Sequence, residues 1–142
     1  KYLGQVGTGG QSPLNAGENY AEKVTGHGLV LMATPGYDPV SATGQVAGGA
    51  NMIVFPTGRG SCFGCRPAPS LKLASNSALY NSMTEDMDLD CGPIVTGGLT
   101  IQQSGRDIFE LIIETASGRK SKSEEFGYGD NEFVPWHLGA VL

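Results

Sequence analysis

From Pro39 to Thr84 the sequence contains no Asp or Glu, although the whole chain carries 14 acidic against 9 basic residues and a net charge of −5. Arg59, Arg66 and Lys72 lie inside that window. An acidic chain with one acid-free basic stretch suits a small anionic ligand. DNA or RNA would need a whole basic face, so nucleic-acid partners are excluded. Absent as well is any run of about 18 apolar residues, which leaves no helix to span a membrane, and the amino terminus lacks the basic-apolar-small layout of a signal peptide. Cysteine is scarce. Cys62, Cys65 and Cys91 are an odd number in a chain without secretory marks, and they point to reduced thiols in a cytoplasm rather than a disulfide framework. No G-x-G-x-x-G or Walker loop is complete, and no heptad or internal repeat occurs. Asp86, Asp88 and Asp90 form D-x-D-x-D, but Cys91 and Gly97 stand where a calcium loop would want its Gly and Glu. The run is read as a solvated acidic helix end and turn, with Asp90 kept as a candidate for the edge of a site.

What the chain does have is glycine and a set of short apolar runs. Its 142 residues make one domain's worth of chain, and its 22 glycines, spread without a period, signal many tight loops. Residues 1–28 read as an irregular leading segment with a short turn of helix from Tyr20 to Val24. Leu29 to Met32 reads as a strand, and Asp38-Pro39 is a helix-start signal for a helix over Val40 to Ala47 that Gly48-Gly49 stops. Met52 to Phe55 is the next strand, completing the span of one right-handed βαβ unit. Leu71 to Ala74 follows, then an Asn76-capped helix through roughly Met83, a short strand at Ile94-Val95, and a longer amphipathic helix over about Arg106 to Ser117 that Gly118 ends. Arg119 to Glu125 reads as a solvated charged connection and the aromatic tail as a closing segment on the domain edge. The fold class is α/β with a parallel sheet and flanking helices.

Between the strands at Met52 to Phe55 and Leu71 to Ala74 lies the stretch expected to carry chemistry. Thr57, Gly58, Arg59, Gly60 and Ser61 bring two glycines, two hydroxyls and a guanidinium together just after a buried strand. Glycines let backbone N–H groups approach an anion, and the planar Arg fork matches a carboxylate or phosphate. The alternative is a tight turn with Arg59 in a structural pair. Lys72 inside an apolar strand is read as a desolvated base or electrostatic clamp, or else as an edge lysine reaching solvent. Asp38 is a helix cap first and a substrate or metal contact second. Cys62-x-x-Cys65 has metal spacing, yet Cys91 is the one further thiol, and His27 and His137 read as surface or packing residues, so a four-ligand zinc site is short of ligands.

The runs PGYDPVSATGQVAGGANMIVFPTGRGS, PSLKLASN, EDMDLDCG and IFELIIETASG, in that order, resemble the carboxy-terminal part of the altronate/galactarate dehydratase family. The tail EFGYGDNEFVPWHLG is more similar to the galactarate branch than to the altronate branch. The resemblance implies a Rossmann-like variant of the parallel-sheet fold, a bacterial cytoplasmic enzyme, and loss of water from a sugar diacid such as galactarate. It also implies a divalent metal, commonly iron, whose ligands lie largely in an amino-terminal part outside this chain, with Cys65, Asp90 and Cys91 as weak candidates within it. Arg59, Lys72 and Asp38 are then the catalytic candidates, and Thr57, Gly58, Gly60, Ser61 and Asn76 the substrate-binding ones. The chain, residues 1–142, is read as a single α/β domain or a fragment of a longer homo-oligomeric enzyme that is inactive alone. Its sheet is expected to expose an edge or apolar face that the remaining part covers. Two readings stay beside this one: altronate dehydration or elimination of sulfite from a sulfonated hydroxy acid in the same architecture, and a non-catalytic anion- or metabolite-binding module.

Overall fold

A computed structural model of the chain describes residues 10, 12–137 and 139. Two small parallel sheets are present. Strand β1 (Leu14–Glu18) pairs with β2 (Leu29–Met32), and β3 (Ile53–Thr57), β4 (Ser70–Ala74) and β5 (Leu89–Asp90) form the second sheet in that order. Helices α1 (Asp38–Ala47), α2 (Ser77–Ser82), α3 (Pro93–Thr96), α4 (Ile101–Ala116) and α5 (Lys122–Glu125) complete the domain. The architecture is α/β.

The register of β3 and β4 decides what each helix covers. Ile53, Phe55 and Thr57 stand beside Ser70, Lys72 and Ala74, while Val54 and Pro56 stand beside Leu71 and Leu73. Alternation sends the two sets to opposite faces. On the first face Ala42 of α1 packs with Ile53, Phe63 and Cys65, and Leu79 of α2 packs with Ala74 and Met87. Opposite it, Leu71 and Leu73 meet Leu111 of α4, with Ile108 and Ile112 at the margin. Central β4 is buried along its whole length.

Several elements follow from local chemistry. Asn76 caps α2, its side-chain oxygen accepting the Leu79 N–H at 2.8 Å. Thr100 and Gln103 form a reciprocal capping box, so α4 begins a full turn before Arg106. Gly118, at φ +109°, stops it. The tail is tied down as expected: the Val134 N–H donates to the Thr43 hydroxyl at 2.8 Å, the Gly64 N–H donates to Glu132 at 2.6 Å, and Trp136 meets Tyr20 edge-on at 5.4 Å.

Other expectations are corrected. Tyr20 to Val24 is a turn, with Ala21 at φ +60°, and not a helix. Ile94-Val95 belongs to α3, because Pro93 opens a helical turn there that Gly97, at φ +80°, closes; the strand is Leu89–Asp90 instead. The charged connection contains α5, which Ser121 and Glu124 cap reciprocally. Within the leading segment β1 forms a strand. Strands β2 and β3 share no ladder, so the expected βαβ unit joins two sheets instead of building one. Expectations that fall on residues 1–9, 11, 138 and 140–142 lie outside the described residues.

Candidate functional site

The ends of β3, β4 and β5 open on one edge of the sheet, where parallel α/β folds place ligands. The Thr57 hydroxyl accepts the Gly60 N–H at 3.1 Å, and Gly60 takes φ +102°, a conformation that favours glycine. Asn76 donates from its amide nitrogen to the Gly58 carbonyl at 3.2 Å, so the residue that caps α2 also holds the loop after β3. The Ser61 hydroxyl accepts the Phe63 N–H at 3.1 Å. Thr57, Gly58, Gly60, Ser61 and Asn76 therefore do come together. The amide of Gly60 is used within the loop and is not free to meet an anion as expected from the sequence. Arg59 is exposed at the tip and has no hydrogen bond or ion pair with any described residue.

Asp90 borders the same edge. Its carboxylate accepts the Gly92 N–H at 2.8 Å, and Gly92 lies so close to Ser77 that a Cβ there would overlap the Ser77 amide nitrogen. The loop after β5 is thus locked to the start of α2.

Asp38 lies elsewhere. It is in the first turn of α1, where its charge complements the helix dipole, but the N-cap is Tyr37 and no side chain makes a cap hydrogen bond. The expectation of an Asp38 cap is corrected: Asp38 is itself the first helical residue, so the helix starts one residue earlier than a capping Asp would start it. Asp38 lines a cavity of about 260 Å3 with Thr34, Ser41, Gln45 and Phe55. A neighbouring cavity of about 480 Å3 shares Thr34, Ser41 and Gln45 and continues along β2. Sequence reasoning did not single out Thr34, Ser41 or Gln45. Ser41 and Gln45 stand one turn apart on α1, and that spacing was the available signal.

Lys72 is wholly buried and does not reach solvent. Its amine makes no hydrogen bond and meets Asp86 at 3.7 Å, on the chain leading into β5 rather than at the strand ends. The edge-lysine alternative is overturned. So is the reading of the three aspartates as a solvated run, since Asp88 accepts the Lys72 N–H at 2.7 Å and the Lys122 N–H at 2.8 Å from a half-buried position. Burial pushes the Asp88 carboxyl above its ordinary value, against the pull of those two N–H groups and of the Lys72 and Lys122 charges.

This arrangement makes a prediction. In Asp88→Asn one side-chain acceptor becomes a donor facing an N–H, so the variant loses about 1–3 kcal/mol in urea unfolding at neutral pH. The native Asp88 carboxyl holds its proton more tightly than the unfolded one, so wild type gains stability as pH falls from neutral through that raised value toward 3.8. Asn carries no such proton. The gap between the two chains should widen on acidification, and a gap that narrows would contradict the raised value.

The thiols do not converge. Cys62 is exposed, Cys65 is buried with Phe63 on the first face of the sheet, and Cys91 borders the Leu71 and Leu73 cluster on the other. Burial, aided by the Glu132 charge, pushes the Cys65 thiol up. Among the described residues no three His, Cys, Asp or Glu side chains gather to hold a metal. We expect all three thiols to titrate in denaturant, Cys62 to react first in the native chain, and Cys62→Ala to leave metal content unchanged. A thiol missing from the denatured count would contradict free cysteines.

Comparison with known sequences gives a consistent picture. The family model described as D-galactarate/Altronate dehydratase, C-terminal, matches residues 1–141. Galactarate dehydratase (L-threo-forming) of Escherichia coli (strain K12) is 37% identical over 128 residues, covering 89% of this chain and 24% of the relative. Altronate dehydratase of Bacillus subtilis (strain 168) is 30% identical over 125 residues, covering 88% of this chain and 25% of the relative. The (2R)-sulfolactate sulfo-lyase subunit beta of Chromohalobacter salexigens is 32% identical over 114 residues, covering 80% and 29%. The chain thus spans about a quarter of the length of these relatives.

Proposed function

Because this chain belongs to the D-galactarate/altronate dehydratase family, we propose that it is the carboxy-terminal part of a cytoplasmic hydro-lyase acting on a sugar diacid, most closely galactarate. In the reaction a base takes the proton beside a carboxylate, the β-hydroxyl leaves as water with a proton from an acid, and the resulting enol rearranges to a 2-keto acid. The increase in charge on the carboxylate as that proton leaves must be held. This chain's part is to hold it. The observation that carries the reading is the unpaired Arg59 guanidinium on a loop that Thr57 and Asn76 fix at the ends of β3 and β4.

Lys72 serves this edge from behind. With its amine turned toward Asp86, it supports the sheet instead of touching substrate. A divalent metal, iron in the family reading, would supply Lewis-acid chemistry. The residues described here do not form a site for it, so its ligands are assigned to polypeptide outside this chain, and no step given to Arg59 or Asn76 passes through it.

The test is formation of a 2-keto acid, trapped as a hydrazone, by an intact enzyme carrying this domain. Galactarate, altronate and sulfolactate should be offered in parallel, with sulfite measured for the last. Galactarate is expected to turn over fastest. Turnover of sulfolactate alone would assign the chain to sulfite elimination, and no product from any of the three would favour an anion-binding module.

A further inference from the structure

Helix α4 carries more apolar surface than the sheet beneath it uses. Leu111 and Ile113 are two residues apart, so at about 100° per residue the apolar arc from one through Ile108, Ile112, Ile101 and Phe109 to the other spans about 200° of the helix. The first part of that arc lies on Leu71 and Leu73. Beyond it Phe109 and Ile113 are 61% and 51% exposed, and Ile101, at the first position of the helix, is 71% exposed. Arg106, Glu110 and Glu114 take the remaining side of the helix, where Glu114 pairs with Arg119. The stripe itself holds no charge. The same face of the sheet is short of cover elsewhere, because Val54 and Pro56 of β3 are exposed.

We propose that the stripe of Ile101, Phe109 and Ile113 seats the polypeptide that precedes this domain in intact dehydratases of the family. This rests on the reading of the chain as the closing domain of such an enzyme. Length argues for that occupant. The matching family region is C-terminal, and the chain covers 24% of the galactarate relative and 25% of the altronate relative, so most of each relative lies outside it. Charge argues for its chemistry. An uncharged stripe bordered by Arg and Glu receives an aliphatic or aromatic surface and disfavours a charged one, which would be left buried and unpaired.

Thiol labelling in the intact enzyme tests this. Phe109→Cys and Ile113→Cys are each compared with Glu110→Cys, on the charged side of α4, using a neutral maleimide and mass spectrometry to separate these sites from the native thiols. Both stripe positions are expected to label at least tenfold more slowly than position 110, at every protein concentration. Labelling as fast as at position 110 would overturn the proposal. So would protection that disappears on dilution, which would mean that a second copy covers the stripe. Two positions on exposed sites guard against one variant that fails to fold. Since labelling needs neither substrate nor metal, its outcome is separate from that of the keto-acid assay.

Discussion

Arg59→Ala in the intact enzyme is expected to lower kcat/KM for its sugar acid by about 10²-fold, a loss of about 2.7 kcal/mol of transition-state stabilisation. The reason is geometric. Arg59 stands exposed and unpaired on a loop that its neighbours, not its own side chain, hold in place. Removing an exposed side chain that makes no hydrogen bond or ion pair with the described residues costs the fold within about 0.5 kcal/mol, so the melting temperature should not move. The loss appears when a carboxylate arrives, because truncating one partner of a desolvated, charge-assisted pair costs about 2–5 kcal/mol. Arg59→Lys should fall between the two, keeping the charge but losing the planar fork. Near-normal turnover with unchanged KM in Arg59→Ala would remove this residue from the site.

The second large effect is on stability. Lys72→Ala should destabilise the domain by about 3–5 kcal/mol, a large part of the ~5–15 kcal/mol that holds a domain folded. It empties the centre of β4 and leaves Asp86 and Asp88 without their neighbouring cation. Lys72→Met separates the two causes. Met fills nearly the same space and removes an amine that has no hydrogen bond, while Asp88 keeps both of its backbone N–H partners. Its cost should be under about 1.5 kcal/mol, with turnover retained. A Lys72→Met enzyme that is stable but inactive would show that the amine handles substrate or proton after all.

What could be read from sequence was what depends on neighbours along the chain. Asn76 as a cap, Gly118 as a stop and the runs at β3 and β4 are local signals, and all appear in the structure. The Thr100 and Gln103 box was equally local and was missed because the apolar period after Arg106 drew the boundary inward. Strand β1 offered no such signal: LNAGE is short and mostly exposed, and it pairs because β2 is beside it. The loop expected to carry chemistry is local in the same way, since Thr57 to Ser61 are five consecutive residues of one turn. The aspartates were not legible, because whether a carboxylate is solvated or half-buried depends on residues 16 and 34 positions away. Periodicity cannot see those partners.

The bonds from Asp88 to Lys122 and from Gly64 to Glu132 also set a timetable for biosynthesis. The second of them joins residues 68 positions apart. At about 5–20 residues per second, a ribosome needs roughly 3–14 s to go from Gly64 to Glu132. Within that interval, from the completion of β4 at Ala74 until Leu111 is added, roughly 2–7 s at the same rate, β3 and β4 exist in the nascent chain while the helix that covers Leu71 and Leu73 does not. The strand containing Lys72 therefore spends seconds with its apolar residues uncovered, long after local pairing could have begun. Nascent chains of this domain are accordingly open to a holding chaperone during those seconds, and aggregation should track translation rate more closely than the stability of the finished fold.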